Sequence, residues 1–65
     1  MDSKKFGEKL RQILDSRGVK YTFAAEQLGM SKQLFNSKLL GQTSWTIDEV
    51  SLAIKKLDLP KDFML

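Results

Sequence analysis

The sequence predicts an all-α fold: a compact bundle of five short helices in one domain, residues 1–65, with a helix-turn-helix at its centre. Three observations carry this. Apolar residues recur at helical spacing in two stretches, Phe6, Leu10, Ile13 and Leu14, then Ile47, Val50, Ile54 and Leu57. Glycines at 18, 29 and 41 stand where successive helical stretches end. Between the last two lies a largely polar segment that turns Phe35 and Leu39, at i and i+4, toward a core.

The first helix is expected from Lys4 to Arg17, capped by Asp2 or Ser3 and closed by Gly18. Gly7 inside it costs about 1 kcal/mol relative to alanine, a cost that close approach of a neighbouring helix would explain. Val19 and Tyr21 make the connection. Thr22 is expected to cap a second helix that runs to Leu28, with Ala24, Ala25 and Leu28 on its buried side. Gly29 supplies the left-handed turn, Met30 points inward, and Ser31 caps the third helix, residues 31–40. Lys32, Gln33, Asn36 and Ser37 are left on its outer side.

After Gly41 comes the polar loop Gln42, Thr43 and Ser44. Trp45 is read as closing the core over the fourth helix, with stacking on a sugar–phosphate edge as the other reading. Thr46 and Glu49 have the capping-box spacing, and the fourth helix follows with its Ile47, Val50, Ile54 and Leu57 stripe. Asp58-Leu-Pro60 ends it. A last short helix, Lys61 to Leu65, is expected to turn Leu59 and Phe63 inward. This apolar tail either caps the monomer core or supplies a two-fold contact.

Composition excludes several classes of function. The chain has no cysteine and no histidine, so it has no disulfide framework, no Cys/His zinc site and no histidine-based nucleophile activation. Asp48, Glu49, Asp58 and Asp62 sit near helix ends, where solvated capping accounts for them. The chain is therefore not expected to be an enzyme or to use a metal or cofactor. A domain of this size buries only about 60% of its unfolded surface, too little for a deep substrate pocket. No apolar run is long enough to span a membrane, and Met1-Asp-Ser-Lys-Lys lacks the apolar stretch of a secretory signal. No membrane partner is expected, and the cytoplasm is the expected location.

The net charge is +3 and unevenly placed. Residues 1–20 carry Lys4, Lys5, Lys9, Arg11, Arg17 and Lys20 against Asp2, Glu8 and Asp15. Residues 21–44 carry Lys32 and Lys38 against Glu26 alone, and the remainder is near neutral. Ordinary solvated lysines and a phosphate-facing surface both fit this distribution.

The spacing of Ala25, Gly29, Ser31, Phe35 and Gly41 resembles the phage-repressor/Cro helix-turn-helix family, also called the XRE type. The resemblance extends from about Phe6 to Phe63, and the segment from Trp45 to Leu59 looks like the fourth helix of small phage-type regulators. Two positions depart from the family pattern. Tyr21 stands where many members place a phosphate-contacting glutamine, and Leu14 and Leu39 stand where many pair a buried arginine with a glutamate. Exchange of a buried ion pair for an apolar pair is often neutral or stabilising, so the fold expectation survives.

The resemblance implies a lambda-repressor-like DNA-binding domain and a transcriptional regulator that binds double-stranded DNA in a sequence-specific way. Its third helix would enter the major groove, which is about 12 Å wide. The family's base-reading positions fall on Lys32, Gln33 and Ser37, with Asn36 alongside. Their chemistry fits: lysine donates to guanine O6/N7, and glutamine or asparagine pairs with adenine N6/N7. Leu34 has two readings, contact with a thymine methyl or filling of the turn. Phosphate anchoring is expected from Tyr21, Thr22, Lys38, Gln42, Thr43 and Ser44, which would set register without reading sequence. A homodimer on two half-sites about 34 Å apart is the favoured assembly. The alternative is a protein-binding antirepressor or modulator on the same fold, with a repressor as its partner; modest charge, Tyr21 and the apolar terminus leave room for it.

Overall fold

A computed structural model describes residues 3–60 and 63. Among them are four helices and no strand: α1 (Ser3–Arg17), α2 (Tyr21–Gln27), α3 (Lys32–Leu39) and α4 (Ile47–Lys56). None is long and apolar enough to cross a membrane. The fifth helix expected at Lys61 to Leu65 lies outside the described residues except for Phe63, which sits in a turn with its N–H on the Pro60 carbonyl at 3.0 Å. Asp2, one of two residues expected to cap α1, also lies outside them. Ser3 Oγ accepts a hydrogen bond from the Trp45 N–H at 3.2 Å and so ties the start of α1 to the loop before α4.

Each helix turns an apolar stripe into the core, with Ile47 of the expected α4 stripe the exception. Phe6, Leu10 and Leu14 of α1, Ala24 and Ala25 of α2 with Leu28, Phe35 and Leu39 of α3, and Val50 and Ala53 of α4 with Leu57 make one core. Trp45 and Leu59 complete it. Phe35 is fully buried at its centre, edge-on to Tyr21 at 6.2 Å and to Trp45 at 6.1 Å. Trp45 in turn meets Phe6 at 4.9 Å, and Phe6 meets Phe63 at 5.4 Å. Edge-to-face contacts of this kind add roughly 0.5–1.5 kcal/mol each beyond area burial. Trp45 is thus a core residue, and Leu59 and Phe63 turn inward as the spacing predicts.

α1 and α3 approach so closely that a Cβ on Gly7 would lie 2.8 Å from the carbonyl oxygens of both Lys38 and Leu39. That is the physical reason for a glycine in the middle of α1. All four helices end in a left-handed residue: Gly18, Gly29, Gly41 and, after α4, Asp58 at φ 53°. Arg17 bridges two of these ends, donating to the carbonyls of Leu57 at 2.8 Å and Asp58 at 3.2 Å, where the α4 dipole favours a cation.

Two expectations are corrected. α2 begins one residue before Thr22, with Lys20 as N-cap and no side-chain cap at all. Its phase is set by burial: Tyr21 packs on Phe35 and, with Ala24, Ala25 and Leu28, forms an i, i+3, i+4, i+7 face, which outweighs the preference for a hydroxyl cap. Ile47, counted in the core stripe of α4, is 74% exposed. The Thr46–Glu49 capping box fixes it as the first helical residue, where it projects past the core.

Candidate nucleic-acid interface

The geometry of α3 begins with the corner before it. Gly29 has φ 67°, its N–H bonds the Glu26 carbonyl at 3.1 Å, and the Met30 N–H bonds the Ala25 carbonyl at 3.1 Å. This paired closure satisfies the last carbonyls of α2 and turns the chain. Met30 is half-buried against the core, and Ser31 Oγ accepts the Leu34 N–H at 3.1 Å, capping α3. The far end of α3 closes the same way, with the Gln42 N–H on the Ser37 carbonyl at 2.9 Å and the Gly41 N–H on that of Lys38 at 3.2 Å. A helix of eight residues is therefore held at both ends and packed on α1 and α2.

α3 turns Phe35, Lys38 and Leu39 into the protein. At about 100° per residue, Gln33, Ser37 and Leu40 fall on the side facing away from them, with Lys32 and Asn36 adjacent. Lys32, Gln33 and Leu40 are exposed, and Asn36 and Ser37 are half-buried. Gln33 and Ser37 thus face away from the core with Asn36 beside them, while Lys32 is exposed in the first turn about 20° around the helix from buried Leu39, and α3 carries no carboxylate. Leu34 is 40% exposed and lies outside the core cluster.

The expected phosphate anchors divide. Thr22 is exposed at the second position of α2, and Gln42, Thr43 and Ser44 are exposed in the loop after α3. Tyr21 is half-buried, and its hydroxyl donates to Asp15 Oδ1 at 2.8 Å. Burial first, then that bond and the charge of Asp15, raise the phenol pKa, with Arg11 opposing. An anion arriving at this hydroxyl would meet the carboxylate already there.

Lys38 is the clear correction. It is buried, with its ammonium 2.7 Å from the Ser44 carbonyl and 2.9 Å from Glu49 Oε1, and it lies over the Trp45 ring at 5.9 Å. The same Glu49 oxygen accepts the Thr46 N–H at 2.9 Å, and Trp45 Nε1 donates to the Lys38 carbonyl at 3.1 Å. Burial alone would raise the Glu49 pKa, but Lys38 and the bonds from Thr46 outweigh it and hold the carboxyl below its ordinary value. Lys38 shapes the 42–44 loop from inside rather than facing outward. Sequence spacing cannot reveal this, because the partner that draws the ammonium inward lies on another helix.

Two residues, Arg11 and Leu40, border the face without having been assigned to it from sequence. Arg11 lines a shallow cleft of about 320 Å³ together with Asp15, Tyr21, Asn36, Leu39 and Leu40. Lys20 is exposed at the start of α2. Leu40, 54% exposed, continues the Gln33 and Ser37 row at i+7, a spacing visible in the sequence. Among the described residues no group of three His, Cys, Asp or Glu side chains could hold a metal. No protein-family model, curated protein or solved structure matches the chain.

Proposed function

We propose that this chain is a sequence-specific, double-stranded DNA-binding transcriptional regulator of the phage repressor/Cro type, with α3 in the major groove. One observation carries the reading: an end-capped helix free of carboxylates leaves Lys32 and Gln33 exposed in its first turn, with Asn36 and Ser37 half-buried one turn on. Lys32 donates to guanine O6/N7, and Gln33 and Asn36 pair with adenine N6/N7, each good pair contributing roughly 1–3 kcal/mol of discrimination. Thr22, Gln42, Thr43 and Ser44 bond phosphates and set the register, with Lys20 supplying charge at the start of α2. Two copies on adjacent half-sites double these contacts.

A mobility shift against duplex pools at several salt concentrations tests it. The expected result is retention of particular duplexes, with affinity falling by a slope of about 0.9 in log K per log salt for each neutralised phosphate. Uniform binding without sequence preference, or no salt dependence, contradicts it.

A second reading, a protein-binding antirepressor or modulator, is favoured by a different observation. The hydroxyl of Tyr21, an expected phosphate contact, already donates to Asp15 Oδ1 at 2.8 Å, and Phe23, Leu40 and Ile47 are 53%, 54% and 74% exposed. Capture of a repressor that survives high salt, with no DNA retained, would select this reading.

A further inference from the structure

We infer that Leu34 reads the C5-methyl group of a pyrimidine in the major groove; this rests on the DNA-binding reading of α3. Leu34 lies outside the core cluster and is 40% exposed, although it sits in the first turn of α3 directly after Lys32 and Gln33. Its own N–H is held by Ser31 Oγ at 3.1 Å, so its backbone is fixed before any ligand arrives. At about 100° per residue it stands about 60° from Ser37 around the helix, on the flank opposite Asn36. The outward side therefore has one polar edge, Lys32 and Asn36, and one apolar edge, Leu34, with the second exposed leucine, Leu40, just past the far end of the helix.

Base edges in the major groove offer hydrogen-bond donors and acceptors at every position, with a single apolar feature, the methyl on C5 of thymine. A leucine on the reading face finds its complement only there. 5-Methylcytosine carries the same methyl and differs at C4, where an amino donor replaces the carbonyl acceptor. The recognised chemistry is the methyl itself, and the two bases are its two sources.

The experiment uses the full chain and the duplex it selects from a random pool. Each thymine is replaced in turn by uracil and each cytosine by 5-methylcytosine, and every duplex is titrated with wild type and with Leu34→Ala. At one pyrimidine position the methyl should raise wild-type affinity about fourfold, the factor for burying one such group. Leu34→Ala should abolish that difference while unfolding at the wild-type temperature. A thymine-to-uracil effect identifies thymine as the source; an effect confined to cytosine identifies its methylated form. Equal affinity with and without the methyl at every position overturns the inference, as does a methyl effect that persists unchanged in Leu34→Ala. Selection that yields no preferred duplex would instead remove the reading of α3 itself.

Discussion

The ammonium of Lys38 joins three parts of the molecule: the helix that bears it, the Ser44 carbonyl of the following loop, and Glu49 in the first turn of α4. Removing it leaves the Glu49 carboxylate beside an apolar gap. Lys38→Met should lower stability by about 1–2 kcal/mol in urea unfolding, less than for a fully buried pair because Glu49 keeps a quarter of its side chain in water. Pairing it with Glu49→Gln should recover most of the loss, and no recovery would mean that the two groups act independently. The pH dependence has a definite sign. Since the folded-state pKa of Glu49 lies below the ordinary carboxyl value of 4.5, its contribution is present above that pH. It is lost as pH falls from there through the folded pKa, and Lys38→Met should flatten this acid-side decline.

At the scale of the helix, the interior feature most easily read as a defect, Gly7, is a contact. By propensity alone, Gly7→Ala should stabilise α1 by about 1 kcal/mol. The carbonyls of Lys38 and Leu39, 2.8 Å from the added Cβ, reverse that sign. We predict a loss of about 1–3 kcal/mol, as for overpacking a rigid interface, read from the urea midpoint of the variant. A gain would mean that α1 can withdraw from α3 at no cost. The ends of α1, α2 and α3 were legible because glycine in the left-handed region is a local signal, and so was the Thr46–Glu49 box. The start of α2 was not, since Tyr21 is drawn in by Phe35 of a different helix. Ile47 misled for a related reason: periodicity gives its direction around α4 but not how far the core extends along that helix.

At the scale of the whole molecule, extents of 25 × 23 × 19 Å leave room for one core. The aromatic series from Tyr21 through Phe35, Trp45 and Phe6 to Phe63 runs across that core and fixes α3 relative to α1 and the loop before α4. Of the candidate site, the exposure of Lys32 and Gln33, with Asn36 and Ser37 half-buried one turn on, was legible because i, i+4 spacing and a capping serine decide which way a short helix faces. The expected phosphate anchors were less so. Polarity marks Thr22, Gln42, Thr43 and Ser44 as surface, but the same polarity concealed the inward turn of Lys38 and the bond from Tyr21 to Asp15.

Selection from a random duplex pool, run in parallel with wild type and with Lys32→Ala/Gln33→Ala, tests the assignment of α3 most directly. Both side chains are exposed, so the double variant should unfold like wild type. Wild type should enrich a defined sequence, and the variant should bind with base preference relaxed at the positions those residues face. Recovery of the same sequence by both proteins, or of none by either, would contradict it.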